Sequence, residues 1–285
     1  MVIESGEDCF AGIALPRVHD RQSSLAFGPH DITIPEATLR ILLINPNTTA
    51  EVTALMARVL APHLPAGVTL VPVTGRFGAR YIASRSAAAI AGHAAIEAYA
   101  EHGHDCDAVY LACFGDPGLL ALKELARVPV IGMAEASCLA ASMLTERFAI
   151  VTGGERWAPM LREFVTVMGL GDRLASIETV TPTGADIARD PDNAIALLAQ
   201  ACRVTAQRDG AGAVILGGAG LAGLAARVQP YLDIPVICSV ETGMAAVLTA
   251  LRDPPVKPAT GDLALPAPIA STGLSDSLAA LLAHS

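Results

Sequence analysis

The sequence predicts an α/β fold of two pseudo-twofold-related lobes, each a roughly four-stranded parallel sheet flanked by helices, with the active site in the cleft between them. Short apolar runs without alternation, typical of parallel strands buried on both faces, recur along the chain between helical segments. A motif from the first half of the chain returns in the second half. With 285 residues, 52 % of them hydrophobic, the chain is long enough to bury such a core.

Composition excludes several classes of partner. The net charge is −9, and the 19 Lys and Arg residues form no basic run, which argues against a nucleic-acid surface. Residues 210–226 approach the length of a membrane span, but glycines interrupt them, so a strand, a turn and a helix are predicted instead. The first ten residues lack the basic and apolar regions of a secretory signal. We therefore expect a cytoplasmic homo-oligomer that acts on a small molecule and keeps its cysteines reduced.

The elements follow from hydrophobic periodicity. Residues 1–38 show no sustained period and are expected to form an N-terminal extension. The run ILLIN predicts a strand that ends at Asn45, and Thr48 or Thr49 is placed to cap the next helix. Residues 107–137 predict a strand, a turn, a helix and a second strand. The other predicted strands span 68–73, 148–151, 177–180, 213–216 and 234–238, and the other helices span 86–99, 138–144, 158–168, 192–209, 221–228 and 243–251.

Cys113 is the first candidate for chemistry. It ends the apolar run 108–112, where the backbone has to turn. Asp116 is a good N-cap residue, and Pro117 suits the first position of a helix. A helix that begins there directs its free N–H groups at the thiol, so the sequence predicts that Cys113 favours the thiolate.

An internal repeat relates Cys113 to a second position. AVYLACFGDPGL, from Ala108, aligns with AVILGGAGLAGL, from Ala213, so that Cys113 corresponds to Gly218. Parallel strands place their C-terminal ends along one edge, and we therefore expect these two residues to face each other across a ligand cleft. The predicted domains are a first lobe of residues 39–137 and 241–252, a second lobe of 138–240, and a Pro-rich tail of 253–285 that holds one short helix at 278–282.

Four motifs carry a resemblance to a known family. They are INPNTT from Ile44, ACFGDPGL from Ala112, PVIGMAEAS from Pro129 and LGGAGLAGL from Leu216. In this order they resemble the aspartate/glutamate/hydantoin racemase superfamily, and most of all its hydantoin racemase branch. The resemblance implies cofactor-independent racemisation by two cysteines that lie on opposite faces of the substrate. Cys113 matches the first cysteine, whereas Gly218 stands where the second is expected.

The missing cysteine leaves three hypotheses. Racemisation at a carbon alpha to a carbonyl or carboxylate needs an acid/base group on each face, and glycine supplies none. A racemase of the hydantoin type would use water or another residue, such as Cys238, as its second base. A single-thiol decarboxylase would use Cys113 only to protonate an enediolate, as in the arylmalonate decarboxylases, although these carry their thiol in the second repeat. A binding protein would keep the fold without turnover.

Further residues are expected around the substrate. The candidates for substrate binding are Asn45, Thr48, Phe114, Gly115, Thr152, Gly153 and Ala219. The amides of the turns beyond Cys113 and Gly218 would stabilise an enolate. Arg80, with its neighbours Arg76 and Arg85, is a candidate for carboxylate binding or a solvated loop. Glu135 is a candidate general acid or a helix cap.

Metal and nucleotide sites are not predicted. His102, His104 and Cys106 lie in a loop before a strand, away from the cleft, so we interpret them as solvated rather than as metal ligands. The glycines at 217–220 lack the spacing of a dinucleotide site and the Lys-Ser/Thr of a phosphate loop. No cofactor is expected.

Overall fold

The computed structural model describes residues 38–283. The predicted N-terminal extension therefore lies outside the described residues, apart from Thr38. The described residues form two four-stranded sheets. Every strand pair in both sheets is parallel. The predicted fold of two parallel sheets flanked by helices is confirmed.

The two sheets have the same strand order. The first sheet has the order β2-β1-β3-β4, and the second has the order β6-β5-β7-β8. The strands are β1 Leu39–Asn45, β2 Val68–Thr74, β3 Ala108–Leu111, β4 Val130–Gly132, β5 Phe148–Gly153, β6 Leu174–Val180, β7 Ala213–Leu216 and β8 Val236–Cys238. The side chains of β3 and β7 are buried along their whole length, which explains why these segments lack the alternation of half-exposed strands.

The helices cover the faces of the sheets and fill the connections. They are α1 Ala50–Leu60, α2 Arg85–His102, α3 Leu119–Leu125, α4 Met133–Leu144, α5 Trp157–Val167, α6 Gly184–Arg189, α7 Pro191–Asp209, α8 Ala225–Val228, α9 Ser239–Arg252 and α10 Asp276–Ala283. Short 3₁₀ turns span Ala61–His63, Gly171–Arg173, Ala219–Leu221 and Gln229–Tyr231. Among residues 38–283, no helix is long and apolar enough to cross a membrane.

Two helices are exchanged between the sheets. Helix α4 follows the last strand of the first sheet but packs against β7 of the second sheet, and α9 follows β8 but packs against β3 and β4. The two helices also pack against each other. The hydroxyl of Tyr110 on β3 donates a hydrogen bond to the carbonyl oxygen of Val240 at 2.9 Å, which ties α9 to the first sheet. The residue boundaries of the two lobes stay a prediction.

The tail lies against the first sheet and its helices. The Nζ atom of Lys257 donates hydrogen bonds to the carbonyl oxygens of Lys123 at 2.5 Å and Glu124 at 2.6 Å. These carbonyls end α3, where a positive charge is favourable. Helix α10 packs on α2, and its Leu278 is buried. The predicted short helix in the tail is therefore confirmed.

Candidate active site

A cavity of about 60 Å³ lies where the C-terminal ends of β3, β5 and β7 meet. Residues of both sheets line it, together with the loop between β2 and α2. Seven of the residues predicted from the sequence contribute to its wall, namely Arg80, Cys113, Phe114, Thr152, Gly153, Gly218 and Ala219.

The turn after Cys113 differs from the prediction. Gly115, Asp116 and Gly118 have φ values of +115°, +45° and +86°, so the backbone cannot enter a helix at Pro117. Helix α3 begins only at Leu119. The prediction that Asp116 caps a helix starting at Pro117 is wrong, because the left-handed residues delay the helix.

Asp116 caps a different helix. Its carboxylate oxygens accept hydrogen bonds from the backbone N–H groups of Ala134 at 3.0 Å and Glu135 at 2.7 Å, in the first turn of α4. Two free donors of that turn are thereby satisfied. Asp116 is only 4 % exposed, and burial of its carboxyl group raises its pKa to about 7, against the lowering effect of the two N–H donors.

The protonation state of Cys113 also differs from the prediction. Burial raises the pKa of the Cys113 thiol well above its usual value, and the neighbouring carboxylate of Asp116 raises it further. The prediction that this residue favours the thiolate is wrong, because the helix that was expected to stabilise a negative charge begins too late. Cys113 carries a proton at neutral pH and loses it only to a base or at alkaline pH.

Gly218 lies on the second-sheet side of the same cavity. Its φ of +136° belongs to a region that glycine adopts easily and L-residues rarely adopt. Its backbone N–H donates to Oγ of Ser239 at 3.1 Å, which holds this conformation. A Cβ placed on Gly218 would lie 3.5 Å from Leu221 Cδ1 and 3.8 Å from Thr152 Oγ1, so space is present for a side chain.

Phe114 and Gly217 bring the two sheets into contact at the cavity. A Cβ placed on Gly217 would lie 2.4 Å from Cε1 of Phe114, which is closer than any real contact. The aromatic ring thus packs directly on the backbone of the turn after β7. Glycine is needed at position 217 because the ring occupies the place of a side chain.

Three predicted substrate-binding residues lie outside the cavity wall. Asn45 is fully buried, and its Nδ2 donates to Thr53 Oγ1 at 3.0 Å and to Asn47 Oδ1 at 3.1 Å, so it holds the turn after β1. Asn47 itself lines the cavity. The N–H of Thr48 donates to the carbonyl oxygen of Ala79. Gly115 lines a neighbouring groove instead.

The other candidates are also placed outside the cavity, except Arg80. Glu135 pairs with Lys123 at 2.5 Å, in the first turn of α4. Cys238 is buried at the end of β8, and burial raises its pKa to about 11. The neighbours of Arg80 in the predicted loop are engaged elsewhere, since Arg76 pairs with Glu101 and Arg85 with Glu163. Across residues 38–283, no group of three or more His, Cys, Asp or Glu side chains is arranged to hold a metal ion.

Tyr81 is a cavity residue that sequence reasoning missed. Its hydroxyl donates a hydrogen bond to the carbonyl oxygen of Gly153 at 2.8 Å and accepts one from Nε1 of Trp157 at 3.0 Å. Burial raises the pKa of the phenol, the bond from Trp157 lowers it, and a negative charge on Cys113 raises it. The sequence did contain a signal for this residue. Only 4 % of the chain is aromatic, and Tyr81 is an aromatic residue within a polar loop, next to Arg80.

The sequence model that describes the Asp/Glu/hydantoin racemases matches residues 41–247. The chain belongs to the Asp/Glu/hydantoin racemase family. It is 36 % identical over 217 residues to a hydantoin racemase of Paenarthrobacter aurescens. The aligned region covers 75 % of this chain and 92 % of that protein.

Solved structures of family members show the same fold. The allantoin racemase from Klebsiella pneumoniae superposes with a TM-score of 0.77 and 32 % identity, and the match covers 84 % of this chain and 98 % of that one. The allantoin racemase from Pseudomonas fluorescens gives a TM-score of 0.79 at 26 % identity, and the match covers 82 % of this chain and all of that one. The predicted enzyme class, an isomerase of the racemase type, is confirmed by these relatives.

Proposed function

We propose that this chain racemises or epimerises a small hydantoin-like molecule by proton transfer at the carbon alpha to a carbonyl, with Cys113 as an acid/base thiol and without a cofactor. One observation carries the proposal. Of the five cysteines in the described part of the chain, only Cys113 lines the cavity between the two sheets. The relatives named as hydantoin and allantoin racemases support this substrate class.

The wall of the cavity supplies the other requirements of the reaction. Removal of the α-proton moves an electron pair onto the carbonyl oxygen, and the resulting enolate needs hydrogen-bond donors or positive charge. Ala219 and Gly220 line the cavity in the turn after β7, and we assign their backbone N–H groups to this oxygen. Arg80 supplies a permanent positive charge at the same wall.

Loss of optical rotation in D₂O tests the proposal. One enantiomer of allantoin or of a 5-substituted hydantoin is incubated with the protein, and racemisation and α-deuterium incorporation are followed together. We expect both in the wild type, and a loss of at least about 100-fold in Cys113→Ala, because a positioned acid/base group contributes about 10²–10⁴-fold. Cys202→Ala serves as the matched control, because Cys202 is buried in α7 and does not line the cavity. Unchanged turnover in Cys113→Ala contradicts the assignment.

A decarboxylase is the second candidate, and the protonation of Cys113 favours it. A raised thiol pKa suits a group that only donates a proton, and Gly218 leaves the opposite face without a second thiol. Incubation with an α-aryl malonate distinguishes the two reactions, because only a decarboxylase releases CO₂. Release of CO₂ without racemisation of any hydantoin would contradict the first proposal and support the decarboxylase. A protein that only binds its ligand would show neither reaction.

Assembly and location stay predictions. The five cysteines of the described residues are free, which supports a reducing compartment such as the cytoplasm. Sedimentation of the purified chain would test the expected homo-oligomer.

A further inference from the structure

The proposed reaction needs a second acid/base group, and the cavity offers one. Its polar side chains, among the described residues, belong to Asn47, Arg80, Tyr81, Cys113, Thr152 and Trp157. Amide, aliphatic hydroxyl and indole groups do not lose a proton under enzymatic conditions, and arginine keeps its proton. A thiol and a phenol do titrate in the accessible range. Elimination therefore leaves Tyr81 as the partner of Cys113.

The position of the phenol suits this role. Tyr81 belongs to the loop between β2 and α2 of the first sheet, but its hydroxyl is held by the carbonyl oxygen of Gly153 and by Nε1 of Trp157. Gly153 ends β5, which pairs with β7, the strand that precedes Gly218. The hydroxyl therefore lies on the second-sheet side of the cavity, whereas the thiol of Cys113 belongs to the first sheet.

We propose that Tyr81 is the second acid/base residue of this chain and takes the place of the thiol that Gly218 lacks. This inference rests on the proposed function, because it assigns the opposite face of the same α-carbon. The cavity is lined by both groups, and the substrate would lie between the thiol on one side and the phenol on the other.

The surroundings of the phenol determine how it titrates. Nε1–H of Trp157 donates a hydrogen bond to the phenol oxygen and stabilises a phenolate. Burial, the thiolate of Cys113 and the carboxylate of Asp186 oppose it. A negative charge on the thiol disfavours one on the phenol, so the pair holds at most one negative charge, and the active form is the one in which a single proton has been lost to solvent.

Each turnover moves this charge across the substrate. The thiolate of Cys113 takes the α-proton, and the electron pair of the C–H bond moves onto the carbonyl oxygen. The enolate then takes the proton of Tyr81 on its other face, which restores the carbonyl and leaves a phenolate. The enzyme now has a thiol and a phenolate, which is the form that accepts the opposite enantiomer, and proton exchange with water restores the first form.

Tyr81→Phe in the full chain separates racemisation from exchange. We expect racemisation in D₂O to fall by about 10²–10⁴-fold, because one acid/base group is removed. We also expect Cys113 to keep exchanging the α-proton of one enantiomer with retention of configuration. Racemisation at the wild-type rate, or equal loss of racemisation and exchange in a folded variant, overturns the inference. A wild type that neither racemises nor exchanges hydantoins contradicts the proposed function itself.

Two further variants keep the test specific. Tyr231→Phe removes a hydroxyl from an exposed tyrosine outside the cavity and should leave both rates unchanged. Trp157→Phe removes one N–H donor from the phenol oxygen and should raise the pKa of Tyr81. The pH profile of kcat/KM should then move to higher pH, and by the same amount for both enantiomers, because their equilibrium constant of one makes the two kcat/KM values equal at every pH and the two groups titrate as a pair. An unchanged profile in a folded variant contradicts the role of Tyr81.

Discussion

The backbone N–H of Asp116 donates to the carbonyl oxygen of Cys113 at 3.0 Å, and this turn fixes a buried carboxyl group beside the thiol. Burial raises the pKa of both groups, and the carboxylate raises the pKa of the thiol further. The reactivity of Cys113 is therefore coupled to the protonation of its neighbour.

Alkylation of Cys113 should depend steeply on pH. Only the thiolate reacts, and the raised pKa means that its fraction grows about tenfold per pH unit through the neutral range. We expect the rate of carboxamidomethylation by iodoacetamide, measured by mass spectrometry of the peptide that carries Cys113, to keep rising above pH 8. A plateau below pH 8 would show that the thiol is already ionised, and Cys113→Ala provides the blank.

Asp116→Asn should make the thiol more reactive. The substitution removes the negative charge that raises the pKa of Cys113 and leaves the burial of the thiol unchanged. We expect faster alkylation of the Cys113 peptide at pH 8 than in the wild type, by a few-fold. An equal or slower rate in a folded variant would show that the carboxylate does not influence the thiol.

The free energy of unfolding of the wild type should depend on pH because of the titration of Asp116. The folded state holds this proton up to about pH 7, whereas an ordinary aspartate releases it near 3.8. The free energy of unfolding therefore loses a contribution as the pH rises through this window, by up to about 4 kcal/mol at about 1.4 kcal/mol per pH unit. Urea unfolding of the wild type and of Asp116→Asn should show a stability difference that changes with pH in this direction. A constant difference would contradict the raised pKa.

Gly218→Cys should reveal backbone strain rather than a clash. The φ of +136° is unfavourable for an L-residue, and such positions cost about 1–3 kcal/mol, although a Cβ finds no contact under 3.5 Å. We expect a comparable loss of unfolding free energy in Gly218→Ala, because the strain arises from the Cβ and not from the thiol. If both variants are as stable as the wild type, the turn after β7 adapts to a side chain without cost.

Gly217→Ala should disturb the contact with Phe114. The added methyl group would meet the ring at 2.4 Å, and such overpacking costs about 1–3 kcal/mol. The matched control is Gly171→Ala on the surface, where a Cβ comes no closer than 3.5 Å to Thr166 Oγ1. Thermal unfolding should therefore separate the two variants. Equal melting temperatures would show that Phe114 moves aside freely.

The sequence was sufficient for those parts of the site that depend on strand ends. Parallel strands align their C-terminal ends, so the repeat that paired Cys113 with Gly218 also indicated a common rim, and both residues line the cavity. Local patterns were enough here because buried strands and the turns after them are encoded within about ten residues.

Contacts between distant segments could not be predicted. Asp116 looked like the cap of the nearest helix, but its carboxylate caps α4 by accepting from Ala134 and Glu135, which come 18 and 19 positions later. Tyr81 was missed because its hydroxyl is held by Gly153, 72 residues away, and nothing in the loop itself signals that partner. Asn45 was expected to contact substrate, but its side-chain amide donates a hydrogen bond to Asn47 within the same turn, and Asn47 lines the cavity instead.

The exchange of α4 and α9 limits how a substrate can reach Cys113. Each of these helices covers the sheet to which it does not connect, so a hinge that swung the sheets apart would strip apolar cover from both. Wide opening of the cleft is therefore costly. The hydroxyl of Tyr81 adds two hydrogen bonds across the cavity, one to the carbonyl oxygen of Gly153 and one from Nε1 of Trp157. A small molecule therefore has to reach Cys113 while the two sheets keep their present separation.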